Sequence, residues 1–204
     1  MIETPQKAHY NVEQRTSTLY FKDQAHSEYM MRGGVCWPIS VEVGKKLDVY
    51  GFILMAGYNT ETGLVTVFEQ TEFVVIDNIL RPDKSIEYHG IAPWLNKCWS
   101  KYFAQDFFWN QDFELAKKYR LEIIRSEMIV PKPQFIEMEW SDLEEAKQVV
   151  WKYVKLGKIR IEKDSKLFHQ LELTKMGDKQ TYPAVHALMC CLCGMERHPW
   201  RKVV

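Results

Sequence analysis

Two acidic residues stand where strands could bring them together for phosphodiester chemistry. Glu42 lies near the end of a run, Val35 to Val43, in which Ile39, Val41 and Val43 alternate as in a strand. Asp106 closes the short run Tyr102 to Asp106, read as a further strand. If those strands were parallel neighbours, their carboxyl ends would face each other across about 5 Å. Two divalent cations about 3.5–4 Å apart could then clamp the attacking and leaving oxygens of a phosphodiester. Hard cations such as Mg²⁺ or Mn²⁺ take oxygen ligands, which the two carboxylates supply. Glu69, in a neighbouring run, is a candidate supporting ligand. Each acid also has a plainer explanation: a solvated strand residue for Glu42 and Glu69, a turn residue for Asp106.

The elements that must position these residues follow from periodicity. Val49 to Gly57 is almost continuously apolar, as expected of a strand covered on both faces. Leu64 to Phe73 alternates as a third strand, and the turns at 44–48 and 59–63 make an antiparallel meander. The period then lengthens. Ile91 to Trp99 reads as a helix with Pro93 in its first turn. After the Tyr102–Asp106 strand, Asn110 is a candidate N-cap for a helix Gln111 to Arg120, followed by a strand Leu121 to Arg125. Ser141 and Glu144 have capping-box spacing, and Gly157 closes the helix behind them. Lys158 to Glu162 is a last strand, and Leu167–Leu173 and Tyr182–Met195 are helical. Residues 1–34 are polar and read as a lead-in or linker, with a short helix around Thr18 to Arg32, ahead of a domain at 35–204. A meander followed by parallel βα units predicts an α/β fold, a mixed sheet with helices on both faces; the leading fold with that order is ribonuclease-H-like.

The bulk numbers narrow the class. A chain of 204 residues with 46% hydrophobic and 26% charged residues has material for one core, which excludes a disordered chain. Lysine and arginine number 27, as do aspartate and glutamate, so net charge is zero. A protein gripping duplex DNA alone usually carries a basic excess, so any DNA partner would be held largely by another domain or subunit. Met1 to Gly34 has no apolar core of the kind a secretory signal needs, and no run is long enough to span a bilayer, so no membrane partner is expected. Cys190, Cys191 and Cys193 stand too close to pair in a disulfide framework, which points to a reducing cytoplasm.

Three stretches resemble one family. Ile39 to Phe73 resembles the opening hairpins of the nuclease domain of large terminase subunits of tailed bacteriophages. Phe103 to Arg125 resembles that family's strand, acidic residue, helix and next strand, and Glu144 to Ile161 its later helix and strand. The resemblance spans about 160 residues from Val35 on and rests on short, degenerate motifs. It implies a ribonuclease-H-like, two-metal endonuclease that cuts concatemeric viral DNA in the host cytoplasm. The implied partners are double-stranded DNA, a packaging ATPase domain or subunit, and portal or capsid components. Glu42 takes the place of the family's first Asp, and Tyr182 and Pro183 stand where its closing helix begins with Asp. Asp178 and His186 are the candidate substitutes for that third ligand. The alternative is a catalytically degenerate scaffold or docking module of the same fold. No G-x-x-x-x-G-K-[ST] run occurs, so the ATPase half is not in this sequence.

Other chemistry is weaker. The cysteine trio with His198 fits no zinc spacing and reads as a buried helix packed with small side chains. Lysines 147, 152, 155, 158, 163 and 166 with Arg160 either line a DNA path or coat a solvated face, since four acids are interspersed. No nucleophile-elbow motif appears, which leaves little for a serine or cysteine hydrolase.

Overall fold

A computed structural model of the chain describes residues 2–22, 25–43, 46–73, 85–111, 133–138, 143–174 and 182–197. Among the described residues eight strands form one sheet: β1 (Lys7–Asn11), β2 (Thr16–Tyr20), β3 (His26–Val43), β4 (Lys46–Asn59), β5 (Val65–Phe73), β6 (Asp106–Trp109), β7 (Gln134–Glu137) and β8 (Ile159–Arg160). The described helices are α1 (Ser85–Tyr102), α2 (Leu143–Lys155), α3 (Lys166–Leu173) and α4 (Pro183–Arg197).

The expected meander is present: β3 pairs antiparallel with β4, and β4 with β5. On the other side of β3 lies β6, parallel to it, and then β7, parallel to β6. The order across the sheet is therefore β5-β4-β3-β6-β7, with β8 parallel on the outer edge of β5. Burial explains the two sequence periods. On β4, Phe52, Leu54 and Ala56 face a core shared with α2 and α4, while Ile53 and Met55 face a second core beneath α1. On β6, Phe108 joins the first core and Phe107 and Trp109 the second. Helices thus cover both faces, and a continuous apolar run was the correct signal for β4.

Close approach sets the seat of α4. A Cβ on Gly34 would lie 1.9 Å from the backbone carbonyl oxygen of Ala187, so only glycine lets this helix settle on β3. At the end of α2, Gly157 has φ +62, and Gly157 and Lys158 donate back to the carbonyls of Val154 and Tyr153. That is the glycine-closed helix end the sequence predicts.

Several expectations are corrected. Residues 7–34 are no lead-in in structure: they supply β1, β2 and the first half of β3, and the Thr18–Arg32 stretch is strand rather than helix. The β2 partner positions run from Ser17↔Tyr29 to Tyr20↔His26, and Leu19 is fully buried in the core under α1. The short polar run Thr16, Ser17 and Thr18 hid this, because it shows no apolar period although Thr16 and Ser17 are buried. The helix α1 is longer than read, carrying Pro93 in its interior and consuming Tyr102. Consequently Asp106 begins β6 instead of ending a strand. The strand β7 was not foreseen, while the expected helix from Gln111 to Arg120, beyond Gln111 itself, and the strand 121–125 lie outside the described residues. Ser141 also lies outside them, and Glu144 pairs with Lys147 at 3.1 Å.

Candidate functional site

The carboxyl end of the β3/β6 pair is where a two-metal site would have to sit. Pairing there ends at Val35↔Trp109. The next residues on β3 are Cys36 and Trp37, both fully buried, followed by Pro38, which has no N–H to give to the ladder. The register with β4 slips between Cys36 and Ile39, so the strand bulges at this point.

Beyond Trp109 the chain runs through Asn110 and Gln111, and both are amides. The Gln111 side chain closes on the Trp37 backbone: its Oε1 accepts from the Trp37 N–H at 2.5 Å, and its Nε2 donates to the Trp37 carbonyl at 3.0 Å. A side-chain amide thus replaces the strand partner that β6 no longer supplies. Asn110 works on the other side, its Nδ2 donating to the Met138 carbonyl just after β7. Its own carbonyl lies 2.7 Å from Nε2 of His186, in the first turn of α4. Because a carbonyl can only accept, that nitrogen carries the hydrogen. Burial pushes the His186 pKa down, to about 4, against the opposing pull of this hydrogen bond. The imidazole is therefore neutral at physiological pH. Two amides and a neutral imidazole, all committed to backbone groups, are a poor donor set for a hard divalent cation.

The acids are elsewhere. Asp106 precedes Phe107, which pairs with Gly33, so it lies level with Arg32 at the amino end of β6. Its carboxylate is 3.5 Å from Nη1 of the buried Arg32. Glu42 pairs in backbone register with Leu47, ten residues further along β3. At about 3.3 Å per residue the two are separated by roughly 30 Å. The structure does not bring Glu42 and Asp106 together, because the strand that was to end at Asp106 starts there.

Glu69 on β5 accepts from the Tyr102 hydroxyl at 3.0 Å and from Lys97 at 2.6 Å, pinning α1 to the sheet. Burial and the neighbouring Glu69 push the Tyr102 pKa well up, so it stays a donor. His186 does stand at the start of the last helix, but its contact is Asn110; Asp178 lies outside the described residues. Among the described residues no three His, Cys, Asp or Glu side chains gather as a metal ion would require.

The remaining motifs resolve into packing. Cys190, Cys191 and Cys193 are free, buried in α4, and burial pushes their thiols up. In the basic stretch, Lys147 is fully buried on Glu144, and Lys152 pairs with Glu196. Lys158 donates to the Thr62 carbonyl, while Lys166 pairs with Glu72 and lies 4.2 Å from the Tyr50 ring centroid. These four are committed to the chain's own groups, which weakens the case for a DNA path.

A second polar feature sits at the opposite end of β6. A recess of about 80 Å³ is bounded by Tyr10, Arg15, Ser17, Arg32, Asp106 and Gln134, among others. Sequence reasoning missed it because β1 and β2 were not read as strands. No protein-family model matches this chain, and no curated protein or solved structure does either.

Proposed function

We propose that this chain is a ribonuclease-H-like module of a viral DNA-packaging motor that has lost the carboxylate cradle and works by docking rather than by cutting. Support for the frame comes from the strand order β5-β4-β3-β6-β7 with only β4 antiparallel, and from helices on both faces. The terminase-like stretches of sequence support the setting, the host cytoplasm, and partners among the packaging ATPase, portal and capsid components. No described helix is long and apolar enough to cross a membrane.

One observation carries the non-catalytic part: the clasp of Gln111 on Trp37 occupies the carboxyl end of the β3/β6 pair. Metal-assisted hydrolysis needs anionic oxygen there, and the amide is both neutral and engaged. The test is supercoiled plasmid incubated with freshly purified full chain and Mn²⁺, with and without EDTA. The expected result is no nicking above buffer, together with co-elution with the ATPase or portal component on size exclusion. EDTA-sensitive nicking would overturn the reading.

A second reading, the two-metal endonuclease on double-stranded DNA, is favoured by the parallel β3/β6 pairing that such a site requires. It needs a ligand set other than Glu42 with Asp106. Nicking that survives Asp106→Asn but needs Mn²⁺ would select it.

A further inference from the structure

β1 lies at one end of the sheet. Its five residues pair with β2 on one side, from Lys7↔Tyr20 to Asn11↔Thr16, without a register slip. Among the described residues no strand takes its outer edge. Such an edge presents a row of backbone N–H and C=O groups that another strand can complete. Natural sheets guard their edges with charges, prolines or bulges. Along β1 the guard is thin: one lysine, at its first position, and neither proline nor bulge.

The two faces of β1 differ, as alternation along a strand requires. Ala8 packs against the core beneath α1, and Tyr10, on the same face, stacks on Phe103 at 5.4 Å and lies 6.3 Å from Trp99. Trp99 and Phe103 meet edge-on at 5.4 Å. All three rings are half-buried, so an aromatic margin of that core ends at the edge strand. Lys7 and His9 belong to the other face and are exposed. The sequence of β1 is complementary to itself. In two-fold antiparallel pairing about His9, the one register that uses all five residues, Lys7 meets Asn11, Ala8 meets Tyr10 and His9 meets its own copy. On one face a small side chain then stands opposite a large one, twice. On the other, each lysine falls opposite a neutral amide. Exposed Glu13 follows two residues after Asn11, in the β1–β2 turn, so opposite charge approaches Lys7 at both ends of the pair.

We propose that β1 pairs antiparallel with β1 of a second copy of this chain, joining the two sheets across a two-fold axis centred on His9. Strand addition draws affinity from main-chain hydrogen bonds and specificity from alternate side chains, and β1 offers both. The aromatic margins of the two copies meet at the axis, each Tyr10 beside the other copy's Ala8, which removes apolar surface from water on both sides. Zero net charge adds no long-range repulsion between copies. Five paired residues make a small interface, so the dimer is a weak one that fills with concentration. The inference does not rest on the docking reading, because the partner is this same chain.

The experiment is sedimentation equilibrium of the full chain from about 1 to about 300 µM, beside oxidative cross-linking of cysteine variants. The parent should pass from monomer to dimer within that range. Lys7→Glu sets like charges together at both ends of the pair and should weaken association at least about threefold. Adding Glu13→Lys to that variant should restore it to within about twofold, with the unfolding midpoints of both unchanged. His9→Cys should form a disulfide-linked dimer with oxidised glutathione. Directly opposed residues of an antiparallel pair have Cα atoms about 4.5–5.5 Å apart, within the span of a disulfide. Lys7→Cys, which meets Asn11 rather than itself, should not cross-link. The parent, whose five cysteines are buried, is the blank. A chain that stays monomeric to about 300 µM, association indifferent to Lys7→Glu, a dimer that His9→Cys does not link, or one that Lys7→Cys links as readily would each overturn the proposal.

Discussion

His186 and Gln111 decide what the carboxyl end of β6 can do, and each makes a measurable statement. The imidazole has a folded pKa of about 4, below the unfolded value of about 6.5. The unfolded chain therefore binds the extra proton first. Stability from this group is fully present above pH 6.5 and is lost as pH falls from there to about 4, by up to about 3 kcal/mol. Urea unfolding between pH 4 and 7 should show that slope, and His186→Gln, which keeps a donor for the Asn110 carbonyl, should flatten it. An unchanged slope in the variant would place the acid sensitivity elsewhere. Gln111→Leu leaves the backbone N–H and carbonyl of the buried Trp37 without these two bonds and should cost about 1–3 kcal/mol in the same assay. At this scale the sequence was informative about residue type and misleading about place. Asp106 was legible as a conspicuous acid beside a strand, and His186 as a polar residue opening the last helix. What failed was the boundary: Tyr102 to Gln105 belongs to the end of α1 and a connection, so the carboxylate moved from one end of a strand to the other.

At the level of elements, periodicity read the meander and the later helices well because each has a covered face. It read β1 and β2 as irregular because an edge hairpin alternates weakly, and it missed β7, which is four residues long. Close packing adds constraints that no period reveals. Gly34 sits against the Ala187 carbonyl, so Gly34→Ala must push α4 off β3. The expected loss is about 1–3 kcal/mol or more, with reduced cooperativity of thermal unfolding; a midpoint equal to the parent's would show that the helix has room to shift. Glu69 was a candidate metal ligand and is the anchor of α1. Tyr102→Phe removes its hydrogen bond at constant shape and should cost about 0.5–1.5 kcal/mol, or about 1.5–3 if Glu69 accepts as the anion.

For the whole molecule, the N-terminal hairpin is a covering of the sheet rather than a tether. Deleting residues 1–25 would strip β1 and β2 from the β3 edge and uncover the core that Leu19 closes. The truncated chain should aggregate or unfold at markedly lower denaturant, and a truncation as stable as the parent would restore the lead-in reading. Zero net charge and lysines paired within the chain offer little excess positive charge for attracting phosphates, in keeping with the docking role proposed above. Nothing in composition distinguishes a working carboxylate cradle from a neutral clasp, because the difference lies in which end of one four-residue strand carries the acid. The most direct measurement is therefore a calorimetric titration of the full chain with Mn²⁺, beside Glu42→Gln and Asp106→Asn. The neutral clasp predicts no saturable binding in the micromolar range for any of the three. Stoichiometric micromolar binding by the parent would contradict it and restore the endonuclease, and the two substitutions would then show whether Glu42 or Asp106 is among the ligands.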